Sequence, residues 1–285
     1  MLLSILIRQC EDTLSQVYPE REARQMVFSL LEHCLGTKPY THVVNPQYQV
    51  SDEAVSGIMK SVERLSREEP LQYVTGQAWF YGRAFRVTPD VLIPRPETEL
   101  LCREALQEAN RRGFGEGADV LDLCTGSGCI AWTMALELHG CRVSAVDISD
   151  GALEVASSQD FSCEPPAFFK ADVLRDNLFS GKKFDIILSN PPYVRDSEKA
   201  LMKANVLDWE PSLALFVPDR DPLKFYKAIS SHASALLSDE GFGIVEINEA
   251  LGEETLELFV RAGLKNVRLI HDLSSRPRFV FFSKR

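Results

Sequence analysis

Over the first 65 residues apolar side chains recur at helical spacing: Leu2, Leu3, Leu6, Ile7, Cys10 and Leu14, then Ala23, Val27, Leu30, Leu31 and Cys34, ending at Gly36. A third series, Val55, Ile58, Met59, Val62 and Leu65, follows Ser51. The spacing predicts three or four short helices in a small bundle over 1–70, a stretch with no cluster of catalytic side chains.

From Pro70 the period changes. Two aromatic, β-branched runs separated by Gly82-Arg83 predict a hairpin linker over 71–92, punctuated by Pro89, Pro94 and Pro96. A helix is expected from about 97 to 112, with Leu100, Leu101, Ala105, Leu106 and Ala109 on one face and the Gly-rich GFGEG as its stop. Short apolar strands then alternate with helices, which predicts an α/β domain over 93–285 built on a doubly wound, mostly parallel sheet. The candidate strands are Asp119–Leu123, Arg142–Asp147, 167–172, Phe184–Ser189, 243–247, 267–271 and 278–282, the last two as an antiparallel hairpin.

Composition narrows the class without changing this outline. Hydrophobic residues at 45% and charged residues at 25% are ordinary for a globular chain, and exclude wholesale disorder and a membrane bundle. The net charge of −10 disfavours bulk attraction to nucleic acid or anionic lipid, and residues 1–72 carry seven Lys/Arg against ten Asp/Glu. Seven cysteines without a C-x-x-C, and no histidine at zinc-finger spacing, read as reduced, mostly buried thiols with no metal site. The N-terminal apolar run is too short for a signal segment or a membrane span, so the expected compartment is the cytoplasm and the default state a monomer.

The stretch VLDLCTGSGCIA is an apolar strand, a tight turn through Cys124, Thr125, Gly126, Ser127 and Gly128, and an apolar helix. Such a turn admits a ligand close to the backbone and aims helix N–H groups at the crevice. It fits neither G-x-G-x-x-G nor the P-loop pattern. Nineteen residues beyond Gly128, Asp147 ends the next strand, where a carboxylate can accept from both hydroxyls of a ribose; the competing role is a helix N-cap. Asp172 ends the next strand, within reach of a purine edge. Turn and acid together imply an adenosine-bearing ligand without a pyrophosphate, and S-adenosylmethionine fits.

The strand FDIILS delivers Asn190, Pro191, Pro192 and Tyr193 to the same edge. Asn and Pro favour turns, so a plain strand-ending turn is the simplest role. Two prolines, however, remove two backbone donors and fix φ twice, leaving a stiff loop that offers carbonyl acceptors. That suits an NH2 group. An amide or exocyclic amine nitrogen is a poor nucleophile because its lone pair is delocalised. Acceptance of its two N–H bonds, by the Asn190 side-chain oxygen and the Pro191 carbonyl, would turn that lone pair toward a methyl donor. Tyr193 would pack on the planar substrate group.

An N-P-P-Y loop after an adenosyl-binding turn resembles the amino methyltransferases. QYVTGQAWFYG at 72–82, VLIPRPETE at 91–99 and the EPSLAL segment at Glu210-Pro211 extend the likeness over nearly the whole chain, to the HemK/PrmC family of peptide chain release factor glutamine methyltransferases. The resemblance implies a class I S-adenosylmethionine-dependent methyltransferase fold, Rossmann-like with a seven-stranded sheet, behind a helical domain that recognises the release factor. It implies methylation of the glutamine nitrogen in the Gly-Gly-Gln loop of class I release factors, with S-adenosylhomocysteine as product. Asn190, Pro191, Pro192 and Tyr193 carry over as the amide clamp, Cys124 to Gly128 as the cofactor turn, Asp147 as the ribose acid, and Asp172 and Val173 as the adenine neighbours. Residues 95–99 are expected at the cofactor entrance, with helix capping as the other role for Thr98.

Several positions depart from the family pattern: Cys124 stands where a first glycine is usual, Asn248 and Leu251 replace a Gly and a Gln after Glu246, and VPDRDPL at 217–223 lacks expected glycines. These touch cofactor geometry and the partner surface, and Cys124 is a candidate for sensitivity to thiol reagents. The competing function is a DNA or RNA base amino methyltransferase, which calls for a basic groove or a separate recognition module. A non-catalytic release-factor binder calls for eroded methyl-transfer residues. The sequence has none of these features.

Overall fold

The computed structural model describes residues 1–272 and 274–285. The helices Leu3–Leu14, Glu20–Leu35 and Asp52–Leu65 form where the apolar spacing predicts them, and their inward faces, among them Leu6, Cys10, Val27, Leu31, Ile58 and Val62, make one buried core. Gly36 ends the second helix at φ +66°, and the Ser51 hydroxyl accepts the Ala54 N–H at 3.2 Å to start the third long one. Cys34, assigned to the apolar face, is exposed, because it lies in the last turn beyond the helix contacts.

Residues 71–75 are a short helix and not the first arm of the hairpin. Pro70 starts it, Gly76 stops it at φ +71°, and Tyr73 is buried. Arg64 donates to the carbonyls of Tyr73 and Val74 and pairs with the buried Glu69, satisfying acceptors that the helix end leaves open. One compact unit comprises Met1–Gln77 with Lys203–Trp209; the other comprises Ala78–Met202 with Glu210–Arg285.

The hairpin pairs β1 (Gln77–Phe80) with β2 (Arg83–Arg86). Its two turn residues are Tyr81 and Gly82, both at positive φ, one residue earlier than expected. Phe80 and Phe85 are fully buried in the same core as Leu101, Cys102, Ala105 and Trp132. The hairpin is therefore anchored in the second unit by its aromatics rather than strung as a free linker.

The main sheet takes β3 (Asp119–Leu123), β4 (Arg142–Asp147), β5 (Ala167–Lys170) and β6 (Phe184–Ser189) from the first part of this unit. A small outlying pair, β7 (Val194–Arg195) and β8 (Phe216–Val217), follows. β9 (Leu237–Glu246), β10 (Lys265–His271) and β11 (Pro277–Ser283) complete the order β10-β11-β9-β6-β3-β4-β5. Pairs among β9, β6, β3, β4 and β5 are parallel, whereas β11 runs antiparallel to both β9 and β10. This is the seven-stranded, mostly parallel α/β sheet read from the alternation of elements.

Two strand limits differ from the expectation. β5 stops at Lys170, since the Asp172 N–H is taken by the Asp176 carboxylate at 2.7 Å and the Asp172 carboxylate takes the Leu174 N–H. β9 starts at Leu237, opposite Phe184, with a register shift before Phe242 that carries a polar, glycine-containing stretch into the strand. Inside β9, a Cβ on Gly243 would lie 2.3 Å from the Phe282 ring and 2.6 Å from the Ile187 carbonyl oxygen. Gly243→Ala is expected to lower stability by about 2–3 kcal/mol through forced separation of the strands, read as a reduced denaturation midpoint with unchanged slope.

Candidate active site

The sheet order puts a reversal point between β3 and β6: the chain steps outward from β3 through β4 to β5, then returns to β6 on the other side. Leu123 lies opposite Ser189, and Ser189 opposite Val245, so the segments after β3, β6 and β9 emerge along one edge. A cavity of about 300 Å³ opens there, lined by Thr125, Gly126, Asp147, Asp172, Asn190 and Pro192 among others. A second space of about 40 Å³, lined by Pro191 and Tyr193, shares Leu92, Arg95, Asn190 and Ala214 with it.

The first wall is the turn after β3. Cys124 sits at φ +61°, the left-handed region, which explains why a glycine is usual there; a side chain in that conformation carries about 1–2 kcal/mol of strain. Thr125 and Ser127 are buried and line the cavity with Gly126. Gly128 is not among the lining residues. It precedes the helix Cys129–Glu137 at φ +79°, where a Cβ would meet Ala156 and Trp132 at 3.1 Å, so the position calls for glycine on packing grounds as well. From behind, the Gln159 amide bonds the Ser127 carbonyl and both backbone groups of Arg86, fastening the turn to the hairpin.

Asp147 does not cap the helix after it; Ser149 does, accepting the Ala152 N–H at 3.2 Å. The Asp147 oxygens accept the Gly126 and Ser149 N–H groups, each at 2.9 Å, which leaves a further lone pair on each for hydroxyl donors from the cavity. Burial raises its pKa, with those backbone donors acting against the shift. Asp172, Val173 and Leu174 line the same end, with Ile148 and Phe225 adding apolar surface.

At the other end, Pro191 and Pro192 are buried and Asn190 is half-buried. The Asn190 Nδ2 donates to Thr98 Oγ1 at 3.0 Å, and Thr98 Oγ1 donates to Glu246 Oε2 at 2.8 Å. Tyr193 donates its hydroxyl to Glu246 Oε1 at 3.0 Å. Thr98 is thus no helix cap: Arg95 holds the cap position of the helix Pro96–Arg112. Of residues 95–99, Arg95 and Thr98 line the cavity, whereas Glu99 turns to the hairpin and accepts the Tyr81 N–H. Arg95 pairs at 2.6 Å with the buried Glu210, which also accepts the Ile93 N–H, so the stretches 91–99 and 210–215 meet at the mouth.

Glu246 and Gln159 support the site without having been singled out for it in the sequence, and Glu210 and Asn248, noted there only as part of the family resemblance and as a departure from it, prove to be structural supports. For Glu246 the available signal is its place at the end of an apolar strand, the same signal that Asp147 gives; Gln159 has none. Asn248 lies in an ordinary backbone region (φ −66°), where its side chain donates to the Tyr193 carbonyl and to Glu198 and caps the following turn through the Ala250 N–H. The departure from Gly therefore ties down the N-P-P-Y loop. Leu251 supplies a carbonyl to the Thr255 hydroxyl at 2.7 Å. The Cys124 thiol is pushed well up, by burial first and by Asp147 and Asp122 next.

The chain matches two known families: the PrmC N-terminal domain over residues 6–76 and the Methyltransferase small domain over residues 98–207. It is 37% identical over 279 residues to a release factor glutamine methyltransferase of Bacteroides thetaiotaomicron, covering 98% of each chain. Proteins of the same description from Flavobacterium psychrophilum (35% identical, 98% of each chain) and Bacillus subtilis (37% identical, 88% of each chain) are also similar. Among the described residues, no helix is long and apolar enough to cross a membrane.

Beneath the cofactor turn, Asp122 is fully buried and accepts the Thr125 hydroxyl at 2.5 Å, and burial pushes its pKa up to about 7. The folded state then holds a proton that the unfolded chain releases near pH 4. This contribution is fully present below about pH 4 and is lost as pH rises through about 7. Asp122→Asn cannot titrate, so wild type is expected to lose stability relative to the variant between about pH 4 and 7, measured as the difference in denaturation midpoint.

Proposed function

The chain belongs to the release factor glutamine methyltransferase family, and from that premise we propose that it methylates the side-chain nitrogen of the glutamine in the Gly-Gly-Gln loop of class I release factors. The methyl donor is S-adenosylmethionine, and the product S-adenosylhomocysteine. The observation that carries this reading is the Asn190 amide, whose Nδ2 is committed to Thr98 while its Oδ1 receives no hydrogen bond among the described residues. An acceptor is thereby left free on a rigid diproline loop, which is what a carboxamide N–H requires.

The residues present fit the donor. Asp147 has lone pairs left for ribose hydroxyls, Ile148, Val173, Leu174 and Phe225 offer apolar faces to a flat ring, and Asp172 adds an acceptor beside them. Of the two cations in the lining, Arg95 is paired with Glu210 and Lys224 stands over the Phe225 ring. When bound, S-adenosylmethionine supplies an electrophilic methyl group on a sulfonium.

The chain's own part is orientation. Asn190 Oδ1 accepts one N–H of the glutamine amide, and the Pro191 carbonyl accepts the other. With both N–H bonds held by these acceptors, the face of the nitrogen that carries its lone pair is turned toward the methyl group; transfer would break the methyl–sulfur bond with its electron pair left on sulfur, and the nitrogen would release one N–H proton to water. Tyr193, with its hydroxyl anchored on Glu246, offers its ring beside the smaller space where the carboxamide would sit. The helical unit over 1–70 binds the body of the release factor, and a substrate of this kind places the reaction in the cytoplasm.

The test uses labelled S-adenosylmethionine with a class I release factor and with the same factor carrying Ala for the Gly-Gly-Gln glutamine. Label confined to that glutamine, mapped by mass spectrometry, is the expected result; label on nucleic acid alone would overturn the reading. Asn190→Ala should reduce kcat by about 100-fold or more while cofactor affinity stays within about threefold, since it removes an orienting acceptor. Asp147→Ala should instead weaken S-adenosylmethionine binding by about 10- to 100-fold in calorimetry, through loss of a charge-assisted acceptor pair.

A further inference from the structure

Glu246 touches neither cavity, yet three of the site's groups depend on it. Its carboxyl is buried at the end of β9 (2% exposed) and receives the hydroxyls of Thr98 on Oε2 and Tyr193 on Oε1. Thr98 Oγ1, having given its one proton to Glu246, can only accept at its other contact, and that contact is Asn190. The amide must then present Nδ2 to Thr98 and Oδ1 to the substrate.

We propose that Glu246 is a positioning residue whose ionised carboxylate sets the polarity of the chain Glu246–Thr98–Asn190, and that its protonation reverses the chain and turns the Asn190 NH2 toward the substrate amide. A donor there meets a donor, so the clamp is lost. This rests on the amide-clamp reading above.

The reversal follows from the same donor count. Tyr193 has no acceptor other than Glu246 among the described residues, so a proton on Oε1 would strand the tyrosine hydroxyl. A proton on Oε2 donates to Thr98 instead. The Thr98 hydroxyl then needs an acceptor, and the Asn190 amide provides one by exchanging its oxygen for its nitrogen.

The surroundings allow Glu246 to change state in the working range. Burial pushes its pKa up to about 7; the Thr98 and Tyr193 hydroxyls and Arg278 of β11 oppose that, while Glu97 adds to it. Tyr226 stands on the helix Lys224–Leu236, where burial holds its phenol protonated, and it accepts the Asn248 N–H. The Cys102 and Cys129 thiols are likewise raised by burial and stay neutral. Glu246 therefore gains charge as pH rises through about 7; Asp122 does so over the same range, but it bonds Thr125 and not Thr98, so the Thr98 variants separate the two.

The experiment follows methylation of a class I release factor at saturating S-adenosylmethionine from about pH 5.5 to 9, using the full chain. Wild-type kcat is expected to rise along a one-proton limb near neutrality. Thr98→Val, which removes the relay, should reduce kcat by about 10- to 100-fold and lose that limb, with S-adenosylhomocysteine affinity in calorimetry within about threefold of wild type. Thr98→Ser, which restores the hydroxyl, should recover both turnover and limb. If Thr98→Val binds cofactor poorly, the profile of Glu246→Gln decides: a flat profile supports the relay, and an unchanged limb overturns it. Equal turnover by the Val and Ser variants, or a limb retained in Thr98→Val, also overturns it. Wild-type protein that leaves the glutamine unmethylated overturns the functional reading itself, an outcome distinct from active wild type with a Thr98-independent profile.

Discussion

Strands β3 and β6 pair in parallel with Leu123 opposite Ser189, and every feature of the site follows from that register. Parallel neighbours end at the same edge of a sheet, so the turn that closes β3 and the proline loop that leaves β6 are forced to emerge side by side. The Ser189 hydroxyl, donating to the Leu123 carbonyl at 2.6 Å, closes the pair at its last rung. A slip of one residue would exchange the two buried faces of β6, Ile186 and Leu188 against Phe184 and Ile187, and carry Asn190 away from Thr98. Gly243 enforces the neighbouring register, because the β6 backbone and the Phe282 ring leave it no room for a side chain.

Buried carboxyls then give the edge its chemistry. Asp122, Asp147 and Glu246 each end or nearly end a strand, and for all three burial is the leading influence on the proton, raising the pKa. They differ in what opposes that burial: the Thr125 hydroxyl and the Ala131 amide at Asp122, three backbone amides at Asp147, and two hydroxyls with Arg278 at Glu246. Hydroxyls are reversible partners that can donate or accept, whereas a backbone N–H can only donate. Asp147 is thereby a fixed acceptor suited to holding a ligand, and Glu246 is a group whose state its neighbours can report.

The departures from the family pattern fit this frame. Cys124 takes a strained left-handed conformation under a cover of Leu123 and Val146 neighbours, with its thiol kept neutral. Asn248 exchanges the freedom of glycine for three side-chain hydrogen bonds, two of them holding Tyr193 and Glu198 in place. Cys124 stands in the cavity lining itself, whereas Asn248 acts from behind the N-P-P-Y loop.

Much of this was legible in the chain. Helical and strand periods depend on local geometry, so β3, β4 and β6 were read to the residue, and the glycine turn, Asp147 and the N-P-P-Y loop were found by their place at strand ends. Local signals failed where a distant partner decides: residues 71–75 are helical because Arg64 serves their carbonyls, and β9 begins early because Phe184 pairs with Leu237. Gly128 shows the same limit, since Ala156 and Trp132, 28 and four residues away, leave no room there for a Cβ. The sequence by itself determined the elements and the chemistry each carries to its end. Only the tertiary structure decided that Thr98, Asn190, Tyr193 and Glu246, separated by up to 148 residues, form one hydrogen-bonded chain, because the direction of a hydrogen bond depends on which group stands opposite and no period along the chain encodes that.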